Sequence, residues 1–167
     1  IVDNGTIVGQ GQSFIPLSGT EKLVEARFQI KVGAGVPTGT LYAELYDSND
    51  ASPAIPTGSA LARSEVVLAS AITSAYSEVI FRFNLRNPAT GADQSGGLDL
   101  ANAEYFIVLR HDDGAAGAYF HVDGSEADAD ATQNAAAEDP VSTWSGDATD
   151  DIRLTVKSCP AIHGVPG

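Results

Sequence analysis

Val24-Glu25-Ala26-Arg27-Phe28-Gln29-Ile30-Lys31-Val32 alternates apolar and polar residues without a break. Val24, Ala26, Phe28, Ile30 and Val32 fall on one face, and Glu25, Arg27, Gln29 and Lys31 on the other. Successive side chains of an extended chain point to opposite sides, so Lys22–Val32 reads as a strand with one face on a core and one in water. Thr40–Asp47 repeats the pattern, with Leu41, Ala43 and Leu45 inward and Tyr42, Glu44 and Tyr46 outward. Glu78–Leu85 sets Val79, Phe81, Phe83 and Leu85 against Glu78, Ile80, Arg82 and Asn84. Ala103–Arg110 is apolar on both faces, which predicts a central strand.

Ala118–Asp123 and Asp151–Lys157 are further strands, the latter with Ile152, Leu154 and Val156 inward, and Gln12–Ile15 and Ser64–Leu68 are shorter ones. Pro37-Thr38-Gly39, Pro56-Thr57-Gly58, Asn87-Pro88-Ala89-Thr90-Gly91 and Asp112-Asp113-Gly114 punctuate them as turns. About eight short strands with Gly/Pro punctuation predict an all-β fold, an antiparallel β-sandwich of jelly-roll type, with a partly open barrel as the rival. The expected organisation is an N-terminal segment over 1–10, one sandwich domain over 11–158 and an extended C-terminal tail over 159–167. Pro160, Gly164 and Pro166 argue against helix in that tail. The chain begins at Ile1 and holds no methionine, as expected of a processed chain or a piece of a longer one.

A length of 167 residues suits one domain with its own core. The net charge of −13 repels phosphate backbones and anionic lipid, so neither nucleic acid nor a membrane is an expected partner. Cys159 is the only cysteine and cannot close an internal disulfide. Half of the 22 acids lie in His111–Asp151, which has no Lys or Arg; apart from Ala118–Asp123 this reads as a long acidic loop. Its alanine-rich part, Glu126–Asp139, has no apolar stripe to support a helix.

Asp123, Glu126, Asp128 and Asp130 alternate as oxygen ligands of a hard cation would, and calcium is the metal such a stretch would take. The EF-hand pattern fails, because Ala131 stands where the sharp-turn glycine belongs and Ala137 where the closing acid belongs. A solvated acidic loop is the plainer expectation, and no other cofactor is expected. Pairing about Gly114–Ala115 would set His111 opposite Ala118 and away from His121, so these histidines are not expected to share a metal. Nucleophile elbow, phosphate-cradling loop and His-Glu-x-x-His are all absent, and no pair of acids is positioned for hydrolysis, so an enzyme is not expected. Trp144 and the tyrosines offer aromatic faces for sugar rings, Tyr42 and Tyr46 sharing the outward face of one strand. The bland alternative places that face beneath a loop.

The order of motifs resembles a known family. Gly11-Gln12-Ser13-Phe14 precedes Pro37-Thr38-Gly39-Thr40-Leu41 with Ala43-Glu44-Leu45-Tyr46, and then Pro56-Thr57-Gly58-Ser59-Ala60-Leu61-Ala62. Leu98-Asp99-Leu100 leads into Glu104-Tyr105-Phe106-Ile107-Val108-Leu109, and Thr143-Trp144 comes late. From about Gly11 to Lys157 this resembles the jelly-roll modules of tailed-phage virion proteins and of secreted bacterial proteins of the choice-of-anchor R type. The resemblance implies a non-catalytic module on a virion or cell surface. The leading expectation is a capsid decoration or head or tail fibre module that contacts capsid or tail proteins and forms a homo-oligomer. Tyr42, Tyr46, Trp144, Cys159 and Ile162 are its candidate contact residues. The alternative is a carbohydrate-binding or adhesion module of an extracellular or cell-surface protein, with a surface glycan as ligand.

Overall fold

The computed structural model describes residues 8–16, 21–101, 103–112, 119–125, 135–138, 143–147 and 151–160. Its strands are β1 (Gly9–Phe14), β2 (Glu21–Ala34), β3 (Thr40–Ser48), β4 (Pro56–Arg63), β5 (Val67–Leu68), β6 (Ser77–Arg82) and β7 (Asp99–Leu100), followed by β8 (Tyr105–Asp112), β9 (Tyr119–Val122), β10 (Gly124–Ser125), β11 (Ala135–Glu138), β12 (Trp144–Asp147), β13 (Asp151–Ile152) and β14 (Leu154–Pro160). Two short 3-10 turns are the only helical elements among the described residues.

All pairings are antiparallel, and they build two main sheets that pack into a sandwich. The large sheet runs β12-β11-β1-β8-β3-β4, with β5 also on β3. The small sheet is organised on β2, with β14 and β9 along one edge and β6 and β7 along the other. A two-strand ribbon, β10-β13, lies between them in sequence, and the buried Gln12 side chain accepts the Ile152 N–H at 2.6 Å to tie β1 to it. Phe28, Ile30 and Phe81 of the small sheet meet Leu41, Leu45, Ile107 and Leu109 of the large one in the core. Each such fully buried side chain contributes roughly 1.5–3 kcal/mol relative to exposure.

β8 is central, paired on both sides by β1 and β3 and buried on both faces from Tyr105 to Leu109, as its sequence predicts. The alternation of β2 holds from Ala26 to Ile30 and breaks at Val24, which is 39% exposed while Leu23 is buried. The cause is a β-bulge: Lys157 pairs with Glu25 and Ser158 with Leu23, so Val24 is the extra residue and the inward phase shifts by one. Leu85, expected inward, lies beyond the end of β6 and is exposed.

Other expectations are corrected. Pro56-Thr57-Gly58 is not a turn between strands but the start of β4, an edge strand, where a proline removes no needed ladder hydrogen bond. The alanine-rich stretch ends in a strand, β11, because small side chains let Ala135–Glu138 lie flat beside β1. β8 and β9 do not form a hairpin; they belong to different sheets, so the chain changes sheets between Asp112 and Tyr119. At the ends, β1 already begins at Gly9, and β14 continues through Cys159 to Pro160, pairing with Lys22 and Glu21, so Cys159 is strand rather than tail.

Candidate functional site

The outer face of the large sheet carries a second, smaller core. Tyr46, Ala54, Phe106, Val108 and Ala136 are buried there, with Trp144 packed against them. The roof is the segment after β3. The Asn49 side chain accepts the N–H groups of Ala51 at 3.2 Å and Ile55 at 2.9 Å, and folds the chain back over the sheet until Ala54 is fully covered. Gly146 of β12 makes this fit possible, because a Cβ there would lie 2.6 Å from the Ala54 carbonyl oxygen.

Beside the roof the pairing of β3 with β4 jumps. Asp47 pairs with Thr57 and Leu45 with Ala62, so Gly58, Ser59, Ala60 and Leu61 all stand opposite Tyr46 alone. Gly58 adopts φ +72, a conformation open to glycine, at the start of this wide bulge. The far side of the bulge is held in place: the Gln94 side chain bonds both the N–H (3.0 Å) and the carbonyl (2.9 Å) of Arg63, as a neighbouring strand would. The bowed strand leaves an open groove of about 590 Å³, lined on one side by Pro56–Ala60 and on the other by Tyr46, Arg110, Glu138 and Trp144.

Arg110 organises the floor. Its Nε donates to Glu44 Oε2 at 3.0 Å, one terminal nitrogen to Glu138 Oε2 and the other to the Tyr46 hydroxyl at 3.1 Å. The guanidinium reaches Glu138 on β11 by crossing β1 at Gly9, where a Cβ would stand 2.9 Å from its terminal nitrogen. Tyr46 in turn donates to Glu44 at 3.0 Å. Burial, reinforced by Glu44, pushes the Tyr46 hydroxyl up to about 12. Burial works against the charge on Arg110, but hydrogen bonds with Tyr46 and Glu138 outweigh it and hold the guanidinium's pKa above its ordinary value. Trp144 stands edge-on to Tyr46, ring centroids 6.1 Å apart, and 5.6 Å from the Arg110 guanidinium carbon.

The structure therefore brings Tyr46 and Trp144 together and gives them different parts. Tyr46 is only 9% exposed and supplies a hydroxyl to the floor, whereas Trp144 is half-buried at the groove. Tyr42 shares their face, but the Arg63 guanidinium stacks on its ring at 3.5 Å and occupies the surface a ligand would use. Arg110, Glu138 and the bulge were missed by sequence reasoning. Arg110 lies within a strand read as apolar, and Glu138 within a stretch read as loop. Cys159 is exposed on β14, remote in the pairing order from this groove.

Of the acidic alternation, Asp123 pairs with Arg153 at 3.3 Å, while Glu126, Asp128 and Asp130 lie outside the described residues, as does Ile162. Among the described residues no group of three or more His, Cys, Asp and Glu is arranged to hold a metal ion. His111 contacts the Thr38 carbonyl oxygen at 2.8 Å and packs edge-on against Phe120, and His121 packs against Tyr119. Burial and then Lys31 hold the pKa of His121 below its ordinary value.

No family model matches this chain, and neither a curated protein nor a solved structure shows significant similarity to it.

Proposed function

We propose that this chain is a non-catalytic surface module that attaches to carbohydrate through the groove between the β4 bulge and Trp144. One observation carries the reading: an aromatic side chain stands at the mouth of a cleft whose floor presents both donors and acceptors, from Arg110 and Glu138. Sugar rings have apolar faces that stack on aromatics and hydroxyls that donate and accept at once, so this pairing of surfaces suits them. The volume lies within the roughly 300–1,000 Å³ of small-ligand clefts. Display on a virion or a cell surface, with the jelly-roll winding that goes with it, rests on the family resemblance of the motifs.

A second reading, assembly on a capsid or tail as a homo-oligomer, has its own support. β14 has β2 on one side and no second neighbour among the described strands, so its outer edge is open for another chain to add a strand. A glycan array probed with the labelled chain, alongside Trp144→Ala, tests the first reading. Hits that vanish in the variant are the expected result. An empty array together with a stable oligomer by light scattering would replace attachment with assembly.

A further inference from the structure

The charge of the groove floor decides which saccharide it suits. Arg110 cannot act as an anion clamp, because three of its five N–H groups are committed to Glu44, Glu138 and Tyr46. The Arg110 charge is divided between two carboxylates, Glu138 in the groove lining and Glu44, while the Arg63 guanidinium on the same face is stacked on Tyr42 and does not line the groove. The Glu138 side chain is only 7% exposed, so solvent screens it little. The hydroxyl of Tyr46 stays neutral well above physiological pH and adds no charge to the floor. Across the groove, Thr57 and Ser59 offer hydroxyls and no charge, and the net charge of the chain as a whole is −13.

A ligand hydroxyl satisfies this floor in both senses, accepting from the free N–H groups of Arg110 and donating to the Glu138 carboxylate. A ligand carboxylate would bring a third negative charge beside Glu138 with no proton to give it. Resting on the attachment reading above, we infer that the groove between the β4 bulge and Trp144 takes neutral saccharides and rejects those bearing carboxylates, such as uronates and sialic acids. The groove is open at the bulge, where a Cβ added at Gly58 would meet nothing within 4 Å, which leaves room for an oligomer to extend past that point.

Trp144 is the only tryptophan, so its fluorescence reports on this groove. The intact chain is titrated with neutral oligomers of mannose, glucose and galactose, and with oligogalacturonate and sialyl-lactose as acidic probes. At least one neutral oligomer is expected to quench saturably, with every acidic probe at least about tenfold weaker, the factor of roughly 1.4 kcal/mol that like-charge contact readily supplies. Glu138→Gln removes the surplus charge and is expected to narrow that gap. The methyl ester of oligogalacturonate, which keeps the sugar and removes its charge, is expected to narrow it in the unaltered chain, which keeps the test independent of how well the variant folds. An acidic probe that binds as tightly as the neutral ones, or a gap that neither change narrows, overturns the charge inference and leaves attachment standing. Quenching by no probe overturns the attachment reading, and the inference falls with it.

Discussion

The outer faces of the two sheets start from similar sequence and end differently. On the small sheet, Glu25, Arg27 and Gln29 of β2 alternate outward, as Tyr42, Glu44 and Tyr46 of β3 do on the large one. The small sheet keeps its outward face as a ladder of ion pairs: Arg27 bonds Glu25 at 2.5 Å and Glu78 at 2.8 Å, and Lys157 reaches Glu25 at 2.9 Å. Its groove is a shallow 220 Å³ in which Arg27 and Arg153 are already paired. The large sheet instead roofs its outward face with the Asn49–Ile55 fold-back and holds a half-buried arginine between two carboxylates. Alternation selects which side chains share a face. What covers that face is decided by the loops that cross it.

The sharpest way to break the comparison is to treat the outer cluster as a core. Phe106 is fully buried in it, and Phe106→Ala is expected to lower unfolding free energy by about 3–5 kcal/mol in urea titrations, the loss also expected of Phe81→Ala in the core between the sheets. A loss below about 1 kcal/mol would mean that the roof is a loose cover and the two outer faces are alike.

A smaller effect isolates the roof itself. Gly146→Val places side-chain carbons against the Ala54 carbonyl and is expected to destabilise by about 1–3 kcal/mol, the usual range for overpacking. It should also weaken any groove ligand, since Trp144 precedes it on the same strand. Unchanged stability and unchanged Trp144 emission would separate the roof from the groove.

The gentlest test uses pH, because the two faces fail at opposite ends. Glu25 is held below the ordinary carboxylate value of 4.5, first by its hydrogen bond from Lys157 and then by Arg27. A lowered folded-state pKa adds stability that is present above the unfolded value and lost as pH falls through the folded one. Glu25→Gln should therefore flatten the acid limb below about 4.5 and leave the alkaline limb alone. Tyr46 has the opposite sign: its contribution is intact below 10 and lost as pH rises towards about 12, so Tyr46→Phe should flatten the alkaline limb only. Melting curves across pH check both, and a Glu25→Gln profile parallel to the unaltered one would show that the small-sheet ladder contributes nothing. High salt should erase the Glu25 effect before the Tyr46 effect, since the ladder is the more hydrated of the two.

Much of the fold is legible in local pattern. Period-two alternation locates β2, β3, β6 and β14, and the doubly apolar Tyr105–Leu109 announces β8 as a central strand, because each signal depends only on which side chains must leave water. The strands that were missed are those whose burial depends on a partner. Ala135–Glu138 is a strand because β1 and β12 lie beside it, and Pro56–Arg63 because β3 does. The bulge at Val24 is equally silent, since the extra residue is defined by the register of β14 and by nothing in β2 itself.

The candidate site divides along the same line. Composition marked Tyr46 and Trp144 as aromatic candidates, since their chemistry is carried by the side chain wherever it lies. That Arg110, Glu44 and Glu138 converge on them was decided only in the tertiary structure, as they come from three strands that are neighbours or near-neighbours in the sheet but far apart in the chain. The sequence by itself determined an all-β chain, most of its inward-facing residues and its acidic surface, through hydrophobicity, steric preference and net charge. Folding decided which outward face is covered, where the β4 bulge opens a groove and what charge lies at its floor, because each of these depends on a distance between residues that the chain order leaves free.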